Sequence, residues 1–413
     1  MFDNFIPEIM LCSIALFTLL LGLFCWQKVL ASIAISLLAM LTGFVAYYDI
    51  APYDLQYNID NIVPWYKILL LLFTLFACVI WNKLSRAKAF EYIPLLLLHC
   101  LGGFVMISAI DFLSLFVGLE LQALVSYILV TMGGDVKSSE AGIKYFCLGA
   151  AVTCILLFGI SLIYGISASF NYSAFTNNIL SSIGIILVIL SLMFKLAAAP
   201  MHMWLADAYQ GAPVFSLNVL ASSNKFSALV ALINILTNIN INFALLETLK
   251  NIFIVCGIFS VLVGSFGALW QNNFKRFLAY SGILDVAYVL FCLATQDYTL
   301  ATIYISVYIF NVLALLGTMV YLKLDIENLS IPSLAGHILD CVFPQSIFYK
   351  GLFLVCVLSL MGLPPLPGFI IKYYAFSSII THGYTTLAML LAAASCLAAY
   401  YYLKFIRCAV NLR

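Results

Sequence analysis

Long apolar runs alternate with short polar connections along the whole chain. Thirteen of these runs approach or exceed the ~20 residues that carry a helix across a bilayer: 7–25, 29–47, 67–83, 92–110, 112–131, 143–166, 179–207, 214–236, 249–270, 276–294, 299–322, 350–381 and 384–405. Each run is continuous instead of alternating with period two, which is the pattern of helices and not of a transmembrane β-barrel. The tenth run, 276–294, is the weakest. The expected fold class is therefore an all-α polytopic membrane protein, one transmembrane domain over 1–413, with the first three helices in 1–91. Two runs are interrupted in a specific way. In SLMFKLAAAPMHMW, Lys195 is followed five residues later by Pro200; in GLPPLPGFIIKYY, Pro364, Pro365 and Pro367 precede Lys372.

Composition agrees with the pattern. Of 413 residues, 65% are hydrophobic and 8% charged, with a mean hydropathy of +1.13; soluble domains carry about 25% charged residues. The N-terminus has Asp3 and Glu8 but no basic residue, unlike a secretory signal or transit peptide, so the first span is expected to remain in the mature protein. The twelve cysteines include no Cys-x-x-Cys pair and read as small buried residues. His99, His202, His337 and His382 have no ligand-type spacing. With no phosphate loop, dinucleotide fingerprint or haem motif in view, the chain is expected to bind no cofactor or metal and no nucleic acid; its partner is the lipid bilayer.

The basic residues orient the chain. With thirteen spans, Lys28, Lys83, Arg86, Lys88, Lys137, Lys144, Lys275, Arg276, Lys323, Lys350, Lys404, Arg407 and Arg413 fall on one side, and Lys67 and Lys250 on the other. Such asymmetry is the positive-inside signal. It puts the C-terminus on the cytoplasmic or matrix side and the N-terminus opposite.

Five charges remain within spans: Glu120, Lys195, Lys225, Asp285 and Lys372. A charge at mid-span costs about 2.5–3.5 kcal/mol on insertion scales and marks ion or proton paths. For Glu120 the plain alternative is a structural salt bridge, and for Asp285 a satisfied structural acid. Lys225 is flanked by Ser222, Ser223, Asn224 and Ser227, polar neighbours that suit a hydrated cavity. Lysine fits proton handling because burial favours its neutral form and a nearby carboxylate its charged form. The two lysine–proline sites run in opposite order and lie five spans apart, so their helices cross the bilayer in opposite directions. Discontinuous helices in inverted repeats are a recurrent transporter design.

The blocks SSEAGIKYFCLGA, KLAAAPMHMWLADAYQGAP, NNFKRFLAYSGI and GLPPLPGFIIKYYAF resemble the antiporter-like proton-pumping subunits of respiratory complex I, NADH:ubiquinone oxidoreductase, and among these the subunit 2 type. The resemblance runs from about Asp111 to Leu403. It implies two inverted five-helix repeats, 92–236 and 249–405, each with a broken helix, at Pro200 in one and at Pro364, Pro365 and Pro367 in the other. It implies proton translocation through Glu120, Lys195, Lys225 and Lys372, with Lys144, His202 and Asp285 as further candidates for the path. Asp285 departs from the family, which often has histidine or another neutral polar residue there, and bacterial relatives usually have a fourteenth span. NADH, FMN, iron–sulfur clusters and ubiquinone are implied in partner subunits, with bound phospholipid a further candidate. The implied partners are the neighbouring antiporter-like and small coupling subunits of the membrane arm. The same fold serves multi-subunit cation/proton antiporters and membrane-bound hydrogenases, and a structural homologue that does not pump is the remaining alternative. High Phe, Tyr and Cys content points to the mitochondrial inner membrane, a bacterial plasma membrane being the alternative.

Overall fold

The computed structural model describes residues 6–24, 27–48, 62–84, 90–322 and 344–410. Asp3, Arg86, Lys88, Lys323, His337 and Arg413, named above, lie outside the described residues. Sixteen α-helices follow one another among those described: α1 (Ile6–Gly22), α2 (Gln27–Tyr48), α3 (Val63–Leu84), α4 (Tyr92–Ile107), α5 (Phe112–Thr131), α6 (Val136–Ser167), α7 (Ile179–Leu196), α8 (Met203–Gly211), α9 (Val214–Ala221), α10 (Ser223–Asn238), α11 (Phe243–Leu269), α12 (Phe274–Ala294), α13 (Tyr298–Tyr321), α14 (Pro344–Met361), α15 (Pro367–Thr381) and α16 (Thr385–Val410). Among the described residues, ten spans are long and apolar enough to cross a membrane, and three further helices are apolar but shorter. The molecule is the all-α, polytopic membrane protein that its apolar pattern predicts.

Thirteen runs become sixteen helices because three runs are divided. The seventh (α7/α8) and twelfth (α14/α15) divide near their prolines. The eighth, read from its apolar pattern as continuous over 214–236, divides at Ser222 into α9 and α10. Ser222 has φ −112° and ψ −84°, outside the helical region. Its hydroxyl bonds the Asn218 carbonyl, and the Ser223 and Ser227 hydroxyls bond the carbonyls of Val219 and Ser223. Serines that bond back to carbonyls compete with the helical ladder and bend it.

The helices pack as two compact units. One comprises Met1–Gly134, Phe146–Leu192 and Phe215–Asn240; the other comprises Asp135–Tyr145, Met193–Val214 and Ile241–Arg413. In the first, α4 and α5 cross backbone to backbone at Gly102 and Gly118. A Cβ on Gly102 would lie 2.8 Å from the Gly118 carbonyl, and one on Gly118 would lie 2.9 Å from the Gly102 carbonyl. Small residues at such crossings let membrane helices gain dispersion contact. Asp111, at a span end, caps α5 by accepting the Ser114 N–H. Lys67, which the charge sorting assigned to one membrane side at the very start of the run 67–83, lies inside α3 and is only 4% exposed.

In the second unit α12 is buried almost throughout. A helix enclosed by protein need not match lipid, so it carries Lys275, Ser281 and Asp285. Phe277 holds it against α16 through Tyr401, Tyr402 and Phe405, with ring centroids 5.4–5.5 Å apart.

Candidate functional site

Both broken helices end in the same way. At the end of α7, the Ala197 N–H donates to the Phe194 carbonyl (2.9 Å) and the Ala198 N–H to the Met193 carbonyl (3.0 Å). Ala197 is left-handed, with φ +61°. At the end of α14, the Gly362 N–H donates to the Ser359 carbonyl (3.0 Å) and the Leu363 N–H to the Leu358 carbonyl (3.1 Å), with Gly362 at φ +91°. Each is a Schellman closure, usually built on glycine. The helices therefore stop at Leu196 and Met361, before Pro200 and before Pro364 and Pro365. The prolines occupy the gap, and Pro367 opens α15, where a missing N–H costs nothing.

The lysines sit at these helix ends. Lys195 is in the last turn of α7, where unpaired carbonyls and the helix dipole favour a cation. It is 6% exposed, and its Nζ lies 5.7 Å from the centroid of the Tyr145 ring, within cation–π range. Tyr145 stacks on Trp204 with centroids 4.4 Å apart, and the Trp204 indole donates to the Phe194 carbonyl at 2.9 Å. Beyond the turn, the Ala199 N–H donates to the Ser260 hydroxyl at 2.8 Å. His202 stands at the N-cap of α8. Ser260→Ala would leave the Ala199 N–H buried and unpaired. That costs about 1–3 kcal/mol, so a lower thermal midpoint is expected in detergent.

Lys372 reaches a helix end from the far side of its gap. Its Nζ donates to the Leu360 and Met361 carbonyls, at 2.8 and 3.4 Å, which are end carbonyls of α14. The Tyr288 ring lies 5.8 Å from the ammonium. Asp285 on α12 accepts the Tyr304 hydroxyl at 2.8 Å. Asp285, Tyr304, Tyr308, Asn311, Ser359 and Lys372 line one small cavity. An acid and a base thus share a polar pocket inside the second unit.

In the first unit, Lys225 is fully buried on α10, three residues after the Ser222 break. The polar residues beside it tie α10 to its neighbours. His99 Nε2 lies 2.8 Å from Asn224 Oδ1 and His99 Nδ1 3.2 Å from the Ser223 hydroxyl, while Ser227 donates to Gln122 Oε1 at 2.8 Å. Glu120, on α5, is only half-buried and accepts the Thr153 hydroxyl at 3.2 Å.

Lys144 lies in a half-exposed ion-pair cluster. It is 2.7 Å from Glu140 and 3.5 Å from Asp207, and Asp207 is also 3.1 Å from Arg276. Such exposed pairs add little to stability. Sequence reading missed His99, Gln122, Ser260 and Tyr145 because each is an ordinary polar or aromatic residue within an apolar run. The serine cluster around Ser222 was the one signal that could have located the third break.

A family model described as NADH:quinone oxidoreductase/Mrp antiporter, TM, matches residues 109–398. NADH-quinone oxidoreductase subunit N of Rickettsia typhi is 36% identical over 358 residues, covering 83% of this chain and 77% of the relative. The subunit of that name in Pelagibacter ubique is 34% identical over 426 residues, covering 98% and 88%. Among solved structures, a chain of respiratory complex I from Thermus thermophilus, with bound aureothin, superposes with a TM-score of 0.82 at 28% identity, covering 99% of this chain and 90% of that one.

Proposed function

This chain belongs to the NADH:quinone oxidoreductase/Mrp antiporter membrane family, and from that membership we propose that it is the proton-translocating, antiporter-like subunit of an NADH:quinone oxidoreductase. The observation that carries the reading is the pair of broken helices, each with a buried lysine at a helix end. Protons are taken up and released at Lys195, Lys225 and Lys372, and Glu120 biases them. Asp285 and Lys372 exchange a proton within their shared cavity, while Lys144 and His202 lie along the approach. The halves 92–236 and 249–405 act as inverted repeats, each with a proline-marked break.

The energy comes from quinone reduction in partner subunits that hold FMN, iron–sulfur clusters and ubiquinone and oxidise NADH. Neighbouring antiporter-like and small coupling subunits of the membrane arm contact this chain, along with bilayer phospholipid. The positive-inside bias supports an N-terminus on the outer face and a C-terminus on the cytoplasmic or matrix face. The bacterial relatives support a plasma membrane, and a mitochondrial inner membrane is the other compartment that fits. Affinity purification from the native membrane tests the assignment: co-purification of flavin and iron–sulfur clusters with NADH oxidation is expected. A complex lacking both and exchanging cations for protons would instead make the chain a cation/proton antiporter subunit.

A further inference from the structure

A second buried acid–base couple lies in the first unit, apart from the residues assigned above. Glu8, in the first turn of α1, and Lys67, near the start of α3, are 2.7 Å apart, with side chains 9% and 5% exposed. The half-buried Ser108, which closes α4, donates to the same carboxyl oxygen at 3.1 Å. The Lys67 ammonium lies 5.7 Å from the centroid of the Phe104 ring. Glu8 Oε2 is buried and accepts no hydrogen bond among the described residues. A purely structural ion pair would be expected to fill that position, because a buried unpaired polar atom costs about 1–3 kcal/mol. Buried pairs are in any case weak stabilisers, and ionisable groups inside membranes mark proton paths.

The couple also terminates a line of polar groups along α4. At the far end His99 meets Ser223 and Asn224, and the Ser227 hydroxyl contacts both the Ser223 carbonyl and Gln122. Gln122 Nε2 is buried without a protein partner and faces Gly103, where an added Cβ would lie 3.1 Å from it and 2.7 Å from Leu70 on α3. The next residue, Phe104, lies beneath the Lys67 ammonium. From His99 to Ser108 this line climbs about 13 Å of helix.

We propose that Glu8 and Lys67 form a proton-binding site that exchanges with the membrane face at which α1 and α3 begin, in step with the charge on the Lys225 cluster. The site rests on the reading of the chain as a proton translocator. Glu8 takes on Oε2 a proton delivered along the α4 line from its His99–Gln122 end and becomes a carboxylic acid beside the Lys67 ammonium. It returns that proton past the Ser108 hydroxyl to the outer medium, and no bond between heavy atoms changes.

The test uses the assembled complex in sealed vesicles. It compares the native protein with the double variant Glu8→Gln/Lys67→Met, which removes both charges at similar volume. Two readouts are followed: protons moved per NADH oxidised, and the protonated-carboxyl band in turnover-induced infrared difference spectra. The double variant is expected to assemble and oxidise NADH, to move fewer protons per NADH, and to lack a carboxyl band that the exposed control Glu91→Gln retains. An unchanged ratio with an unchanged band would overturn the site. Failure of the double variant to assemble would assign the couple to structure and overturn it equally. Lys225→Met separates the two claims: if it stops pumping while the double variant does not, the outer site fails and the wider reading stands.

Discussion

Lys225→Met is expected to leave the subunit folded and assembled while lowering proton translocation by about 100-fold or more, the scale of a lost proton-transfer group. The lysine is fully buried on α10, among polar groups that join α4 and α5 to the helix. Methionine keeps the length of the stem and removes the desolvation cost of a buried ammonium. The thermal midpoint in detergent is therefore expected within about 3 °C of the native value. Lys225→Arg sharpens the result. Arginine keeps the charge but does not release its proton inside proteins, so it should be as inactive as methionine if Lys225 must change its protonation state. Full activity in Lys225→Arg would reduce the lysine to a fixed charge.

Gly368→Ala should be the most damaging single methyl group in the second unit. An added Cβ would stand only 1.8 Å from the Ser359 carbonyl, and backbone atoms cannot turn aside as a flexible side chain can. The Gly368 N–H also bonds the Ser359 hydroxyl at 3.1 Å, which ties the first turn of α15 to the end of α14. Separating them moves Lys372 away from the Leu360 and Met361 carbonyls. Overpacking of this kind costs about 1–3 kcal/mol or more. A reduced yield of assembled subunit is expected, with the assembled fraction pumping poorly. Gly351→Ala, where an added Cβ meets nothing within 4 Å, is the matching control and should behave as the native protein.

Hydropathy was enough to read the helix class, the position of nearly every span and the two proline-marked breaks, since a bilayer leaves few alternatives to a continuous apolar helix. It could not locate the end of α7 or α14. Those ends depend on left-handed Ala197 and Gly362 and on two backbone bonds each, features that leave no mark in an apolar average. The Ser222 break was hidden for a related reason: its neighbours are apolar enough to pass as one span. Charges at mid-run could be listed from sequence, but their surroundings could not. Lys372 meeting helix-end carbonyls and Asp285 meeting Tyr304 join residues 11 to 19 positions apart, and only the folded chain brings them together. Glu8 and Lys67 were passed over because each lies at the very edge of its apolar run.

That buried charges of this chain carry protons when NADH is oxidised is tested most directly by the ratio of protons moved to NADH oxidised. The measurement compares sealed vesicles containing the native complex with vesicles containing the Glu120→Gln complex. Glutamine keeps the shape of the side chain and its hydrogen bond from Thr153 while abolishing the charge. A clear fall in the ratio, or a parallel loss of pumping and NADH oxidation in a fully assembled complex, is the expected result. A Glu120→Gln complex with the native ratio and the native rate would contradict the reading of Glu120 as the charge that biases the lysines.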